Sequence, residues 1–236
     1  MDRRQFLTLG ATIGAGVSTL LGEPAWAWPK GCLTALPKIA TPRMAWTVDD
    51  GASQSSLAAY LKLLENHEQL RMTMFVLESS RAWRNLAKPI SELAATGRLQ
   101  LGNHTRTHPD LTRASSAKIK SELTSCGKFI EDTFGVSAGT YFRPPYGYID
   151  ERVIRVAREV GYTTPTLWLG STGAGSVTSS AEDWRLCQKW MTNGRIVIDH
   201  ANSKVTVNNF SKIINLLENR KLKTVTLQDV FGSGWH

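Results

Sequence analysis

Asp49 and Asp50 stand side by side at the end of an apolar run, Met44-Ala45-Trp46-Thr47-Val48, and Gly51 follows them. Adjacent carboxylates repel, and each costs free energy to desolvate unless a partner neutralises it. A division of labour removes the conflict: one binds a metal while its neighbour works as a base. Asp50, His104 and His108 offer one carboxylate and two imidazoles, a three-ligand set that leaves zinc an open position for water and substrate. Asp49 is then free to take a proton from water, whose pKa a bound metal lowers toward about 7. The i, i+4 spacing would put both imidazoles on one face of a helical turn, but Pro109 and the flanking threonines point to a loop. Alone, such a pair is more often a surface pair. The Asp-Asp strand end makes it a metal-site candidate.

Three further residues complete the chemistry. Arg143 could pair with Asp49, orient it and keep it ionised; a plain structural salt bridge would have the same geometry. Pro144-Pro145 stiffens the main chain around Tyr146, where a preorganised N–H could stabilise an oxyanion; the alternative is simply a turn. His200 ends the apolar run Ile196-Val197-Ile198. It is the candidate general acid for a leaving amine, a role worth roughly 10²–10⁴ in rate. Ile198, two residues earlier, shares its side of the strand and could floor an acyl methyl, while Asp199 points the other way.

The elements that must position these groups alternate in type. Strand-like runs fall at 44–48, 72–77, 99–102, 140–142, 164–169, 195–198 and 223–226. Helical patterns lie between them at 55–69, 81–95, 115–134, 150–160, 181–193 and 208–219. Asp150 reads as a helix start, and Ser180 stands three before Asp183 at the spacing of a capping box. Alternation of this kind implies parallel strands joined by crossover helices. Seven strand candidates fit an α/β fold, a distorted, incomplete (β/α) barrel. The polar clusters follow the first, third, fourth and sixth strands, and in a parallel barrel those ends open on one face.

With these residues in place, the chain resembles the polysaccharide deacetylase family, the family four carbohydrate esterases that share the chitooligosaccharide-deacetylase homology domain. The resemblance covers about residues 40–230. Thr47-Val48-Asp49-Asp50-Gly51 is similar to the first family motif and Asn103-His104-Thr105-Arg106-Thr107-His108 to the second. Arg143-Pro144-Pro145-Tyr146 is similar to the third and Ile198-Asp199-His200 to the fifth. The resemblance implies Asp49 as base, Asp50, His104 and His108 as ligands, and a divalent metal, zinc first, with cobalt or manganese as alternatives. It implies hydrolysis of acetyl groups from N- or O-acetylated sugars. The fourth motif, Asp-x-x-Asp-Trp, normally gives the acid histidine a carboxylate. Here Trp168 is followed by Leu169-Gly170-Ser171-Thr172-Gly173-Ala174-Gly175. Asp183-Trp184 comes later and reads as a helix start. A glycan-binding pseudoenzyme and a hydrolase of a non-sugar amide therefore stay open as alternatives. Trp83 and Trp168 are candidate sugar-stacking residues.

The chain of 236 residues is 42% hydrophobic and 20% charged, which fits one globular domain. Arg3-Arg4-Gln5-Phe6-Leu7, a weakly apolar stretch to Leu21 and Ala25-Trp26-Ala27 form a twin-arginine leader. Residues 1–27 are expected to be cleaved, leaving a catalytic domain at 28–236 that is periplasmic or secreted. No stretch suits a stable membrane span. The net charge of +8 favours anionic surroundings, yet no Lys/Arg run interleaved with aromatics supports nucleic-acid binding. The expected partner is an acetylated polysaccharide or oligosaccharide, with a monomer as the expected state. Three cysteines allow at most one internal disulfide, and thiols without a catalytic role are the expectation.

Overall fold

The computed structural model describes residues 28–173 and 177–233. The expected leader lies outside the described residues. Among the described residues there are seven parallel strands: β1 (Arg43–Asp50), β2 (Met72–Val76), β3 (Leu99–Asn103), β4 (Tyr141–Phe142), β5 (Thr164–Pro165), β6 (Ile196–His200) and β7 (Lys223–Thr224). The helices are α1 (Gln54–Asn66), α2 (Arg81–Asn85), α3 (Ala87–Ala95), α4 (Ser116–Phe134), α5 (Glu151–Arg158), α6 (Ser180–Trp190), α7 (Phe210–Asn219) and α8 (Leu227–Phe231). The strand order is β5-β4-β3-β2-β1-β6, with β7 paired to the start of β1. The sheet curls into an incomplete (β/α) barrel. Its open edge is partly bridged, because Leu169 and Thr172 donate to the carbonyls of Ile196 and Ile198 on β6.

Strand β1 shows how the barrel is filled. Met44, Trp46 and Val48 pack outward with residues of α1, including Leu57, Leu61 and Leu64. Ala45 packs on the opposite side with Phe75, Tyr141 and Ile196. Strands covered on both faces read as continuous apolar runs, and β2 is buried throughout. Period two carries Thr47 and Asp49 to the same side as Ala45, where both are buried.

Helix starts follow local chemistry. Ser53, Ser115 and Asp150 each accept a backbone N–H three residues on. Ser179, not Ser180, caps α6, accepting from Glu182. The single helix expected at 81–95 is two. Pro89 supplies no N–H to the carbonyl of Asn85 and its ring crowds that group, and α2 ends there. The expected strand at 223–226 stops at Thr224, because Thr226 and Asp229 form the capping box of α8. All three cysteines are free, buried thiols. Among the described residues, no helix is long and apolar enough to cross a membrane.

Candidate active site

The C-terminal strand ends gather the reactive side chains. Strand alternation would send Asp49 and Asp50 to opposite faces. Asp50 instead adopts φ 67°, a left-handed conformation that is costly for a residue with a side chain. This turns its carboxylate toward the histidines. Gly51 follows at φ 68°, and a Cβ there would lie 2.9 Å from the Trp83 ring. Trp83 donates its indole N–H to the Asp50 carbonyl at 2.8 Å, and Ser80 donates to that of Gly51 at 2.6 Å. Trp83 is therefore a buried brace for the turn, not a sugar-stacking residue.

His104 and His108 lie in a loop after β3, as Pro109 suggested. Thr105 and His108 take φ 73° and 61°. The loop is pinned from both sides. Glu78 and Ser79 donate backbone N–H groups to Thr105 and Arg106, while the buried Glu122 of α4 accepts from the Thr107 main chain and hydroxyl. His104 Nδ1 lies 2.8 Å from the Arg143 carbonyl. That contact makes Nδ1 the protonated nitrogen and turns Nε2 to the site.

Asp50 Oδ1 is 3.2 Å from His104 Nε2 and 3.4 Å from His108 Nε2. It is buried and, among the described residues, has no hydrogen-bond partner. Its other oxygen accepts from Asn202 Nδ2 at 2.6 Å, and Asn202 Oδ1 accepts from the Ala52 N–H. Asn202 thus fixes the carboxylate, with its own amide orientation set by a main-chain donor. Burial opposes ionisation of Asp50, but His104, His200 and Asn202 hold it well below the usual carboxylate range. Burial disfavours charge on His104, yet Asp49 and Asp50 raise it; His108 is pushed down to about 4 by burial and by His104. Ligand atoms of the three residues lie within 4.8 Å of one another, so an orphan buried carboxylate oxygen facing two imidazole nitrogens fits a divalent cation.

Arg143 is completely buried. It donates to Asp49 Oδ1 at 2.7 Å and Thr47 Oγ1 at 2.8 Å, and to the carbonyls of Thr166 and Leu167. Phe75 lies 4.2 Å and Trp168 5.6 Å from the guanidinium carbon. Asp49 Oδ1 is thereby occupied, and Oδ2 lies 3.7 Å from His104 Nε2. A buried pair of this kind holds a carboxylate stationary.

His200 sits level with Asp49 on the neighbouring strand. Its Nδ1 is buried and, among the described residues, has no hydrogen-bond partner. Asp199 turns away, as expected, and reaches His200 only through the main-chain N–H. Asp183 accepts from Gly173 and Asn209, meets the Thr206 hydroxyl and, among the described residues, does not bond to the imidazole. Tyr146 takes φ 61° in a 3₁₀ turn after Pro144. Its ring meets His108 edge to face at 4.5 Å and lies 5.6 Å from that of Tyr148. These two tyrosines, 47% and 39% exposed, are the exposed aromatics of the described residues. Trp168 is half-buried over Arg143 and against Trp28. Sequence reasoning missed Asn202 and Tyr148. The Asn202 signal was its place two residues after a strand-end histidine; Tyr148 had its proximity to Tyr146.

A curled parallel barrel thus carries at its strand ends an Asp/His/His cluster with the donor set for a divalent cation, a buried Arg–Asp pair and a histidine. A family model described as Polysaccharide deacetylase matches residues 38–165, and the chain belongs to that family. It is 34% identical over 170 residues to chitin deacetylase 1 of Cryptococcus neoformans, covering 68% of this chain and 34% of that protein. It is 29% identical over 199 residues to the peptidoglycan-N-acetylglucosamine deacetylase PgdA of Listeria monocytogenes, covering 84% and 41%. The chain thus spans well under half the length of these two relatives. Among solved structures, the Bc1960 peptidoglycan N-acetylglucosamine deacetylase superposes with a TM-score of 0.75 at 22% identity, over 85% of this chain and 92% of that one. A family four pseudoenzyme from Bacillus anthracis superposes at 0.72 with 18% identity, over 84% and 68%. At these identities the two structures speak to the fold.

Proposed function

We propose that the chain is a metal-dependent deacetylase that hydrolyses acetyl groups, N-acetyl foremost, on an extracellular or cell-wall polysaccharide. The observation that carries this reading is the orphan Oδ1 of Asp50 between two imidazole nitrogens, next to Asp49 held by Arg143. Asp50, His104 and His108 would hold a divalent cation, zinc first, which when bound acidifies water and polarises the acyl oxygen. Asp49 uses Oδ2 to accept the proton of the attacking water, since Oδ1 is engaged by Arg143. The rigid turn at Tyr146 positions main chain beside the acyl oxygen. His200 protonates the leaving amine through Nε2, because its Nδ1 is enclosed. The exposed Tyr146 and Tyr148 rings beside His108 suit the apolar face of a sugar. Export by the twin-arginine route, cleavage after residue 27 and a monomeric domain at 28–236 belong to the same proposal.

One observation favours a second reading, a glycan-binding pseudoenzyme: no described residue bonds to His200 Nδ1. Acetate release from a panel of peptidoglycan, chitin-like, exopolysaccharide and xylan substrates with added zinc separates the two. Release that Asp49→Asn abolishes is expected. Glycan binding with no release by the native chain would overturn the deacetylase reading.

A further inference from the structure

Asp183 and Asp199 are both fully buried and belong to neither the metal cluster nor the Arg143 pair. Asp199 Oδ2 accepts from Trp46 Nε1 at 3.2 Å and from the Tyr60 hydroxyl. Its Oδ1 accepts the His200 N–H at 2.8 Å. Asp183 Oδ1 accepts the Gly173 N–H at 2.9 Å, and Oδ2 accepts from Asn209 at 2.8 Å and from the Cys187 thiol. Thr206 joins them, with its hydroxyl oxygen 2.9 Å from Asp199 Oδ1 and 3.0 Å from Asp183 Oδ1. Among the described residues, neither carboxylate makes an ion pair with a lysine, arginine or histidine.

A threonine hydroxyl has one proton to give. It can donate to one of the two carboxylates. The contact with the other is a hydrogen bond only if that carboxyl carries a proton and donates to the threonine. Two buried anions with no cation would also be expensive, so one proton between them satisfies both the geometry and the charge.

The cluster also holds main chain. A Cβ at Gly173 (φ 51°) would collide with Asp199 Oδ1 and Thr206 Oγ1. Thr172 donates its N–H to the Ile198 carbonyl at 2.8 Å. Segment 171–173 therefore lies pressed between the cluster and β6. It occupies the stretch in which the resemblance expects the missing fourth motif. We propose that Asp183, Thr206 and Asp199 share one proton and act as a positioning device that fixes the main chain of His200 and segment 171–173. Asp183 thus reaches the acid histidine through Thr206, Asp199 and a backbone N–H, not through the imidazole.

The groups facing Asp199 are Tyr60 from α1, Asp183 and Cys187 from α6, Thr206, Trp46 and the His200 main chain. Burial raises both the Tyr60 hydroxyl and the Cys187 thiol, so both stay neutral. Burial, with Asp183 nearby, pushes Asp199 up to about 6 against the hydrogen bonds it accepts. A folded-state pKa above the unfolded value gives stability that is present below the ordinary carboxylate range and lost as pH rises through about 6.

The test uses the full chain. Asparagine mimics a protonated aspartate, so Asp183→Asn removes the need for the shared proton. At about pH 5, above the usual carboxylate range, an infrared difference spectrum, native minus Asp183→Asn, is expected to show the carbonyl band of an un-ionised acid. The thermal midpoint of the native chain is expected to fall between about pH 5 and pH 8, and that of Asp183→Asn to fall less. An absent band, or a native midpoint that does not fall, would overturn the shared proton. The kinetic arm rests on the deacetylase reading. Thr206→Val is expected to lower kcat about ten- to a hundredfold with KM and zinc affinity unchanged, and Thr206→Ser to restore it. An unchanged kcat in Thr206→Val overturns the positioning role. A native chain without acetate release fails the deacetylase reading instead, and leaves the infrared and thermal arms readable.

Discussion

On one side of the barrel mouth, the reactive groups are held through their side chains. Arg143 fixes Asp49, Asn202 fixes one oxygen of Asp50, and the Arg143 carbonyl fixes the His104 ring. Four residues there, Asp50, Thr105, His108 and Tyr146, hold positive φ, a strain that persists only where surroundings over-determine the backbone. Across the mouth, His200 is fixed through its main chain, by the strand register and by Asp199, while its Nδ1 has no partner among the described residues. The side proposed to hold the base and the metal is built to the tolerance that charge placement demands. On the His200 side it is the backbone that is fixed, so errors on the two sides should cost differently.

The largest expected effect lies on the braced side. Asp49→Asn removes a base without changing shape, and kcat should drop by about 10²–10⁴, while zinc affinity by titration calorimetry stays native. Full activity in that variant would break the assignment. His200→Ala should split by leaving group. An N-acetyl sugar, whose amine must be protonated, should lose about 10²–10⁴ in kcat, and an aryl acetate, whose phenolate leaves unaided, should lose far less. Equal losses on both substrates would mean that His200 serves binding or structure. Asn202→Ala comes third, because outer-shell partners of metal ligands typically carry about 10–100-fold in metal affinity. Competition against a chelator measures it, and unchanged affinity would show that Asp50 needs no fixing.

The legibility of the site follows the same divide. Groups that end a strand advertise themselves, because an apolar run closing on a carboxylate or imidazole has no packing explanation. Hence Asp49, Asp50, His104, Arg143 and His200 could be placed together before any coordinates. The barrel followed from alternation of strand and helix. Partners that arrive from elsewhere left little signal. Asn202 meets Asp50 across 152 positions, and Tyr60 meets Asp199 across 139. The spacing of Ser180 to Asp183 fits a cap, but Ser179 caps the helix and the buried Asp183 is spent on Gly173, Asn209 and the shared contact with Thr206. The break in the helix at 81–95 was legible in Pro89; a strong apolar period masked it.

The smallest effect tests whether the mouth recognises a sugar at all. Tyr148 closes the 3₁₀ turn through its main chain, donating its N–H to the Pro145 carbonyl, so Tyr148→Ala leaves the turn intact. The ring is 39% exposed, and its loss opens no core cavity. It lies 5.6 Å from Tyr146, which packs on His108, so a sugar stacked there would sit next to the metal ligands. An aromatic contact is worth about 0.5–1.5 kcal/mol, or a two- to tenfold change. KM for an acetylated oligosaccharide should therefore rise about two- to tenfold with kcat unchanged, and KM for a small aryl acetate should not move. A rise on both substrates would mean that Tyr148 supports the His108 loop through Tyr146. No rise on either would remove the platform, and would return specificity to the braced side of the mouth.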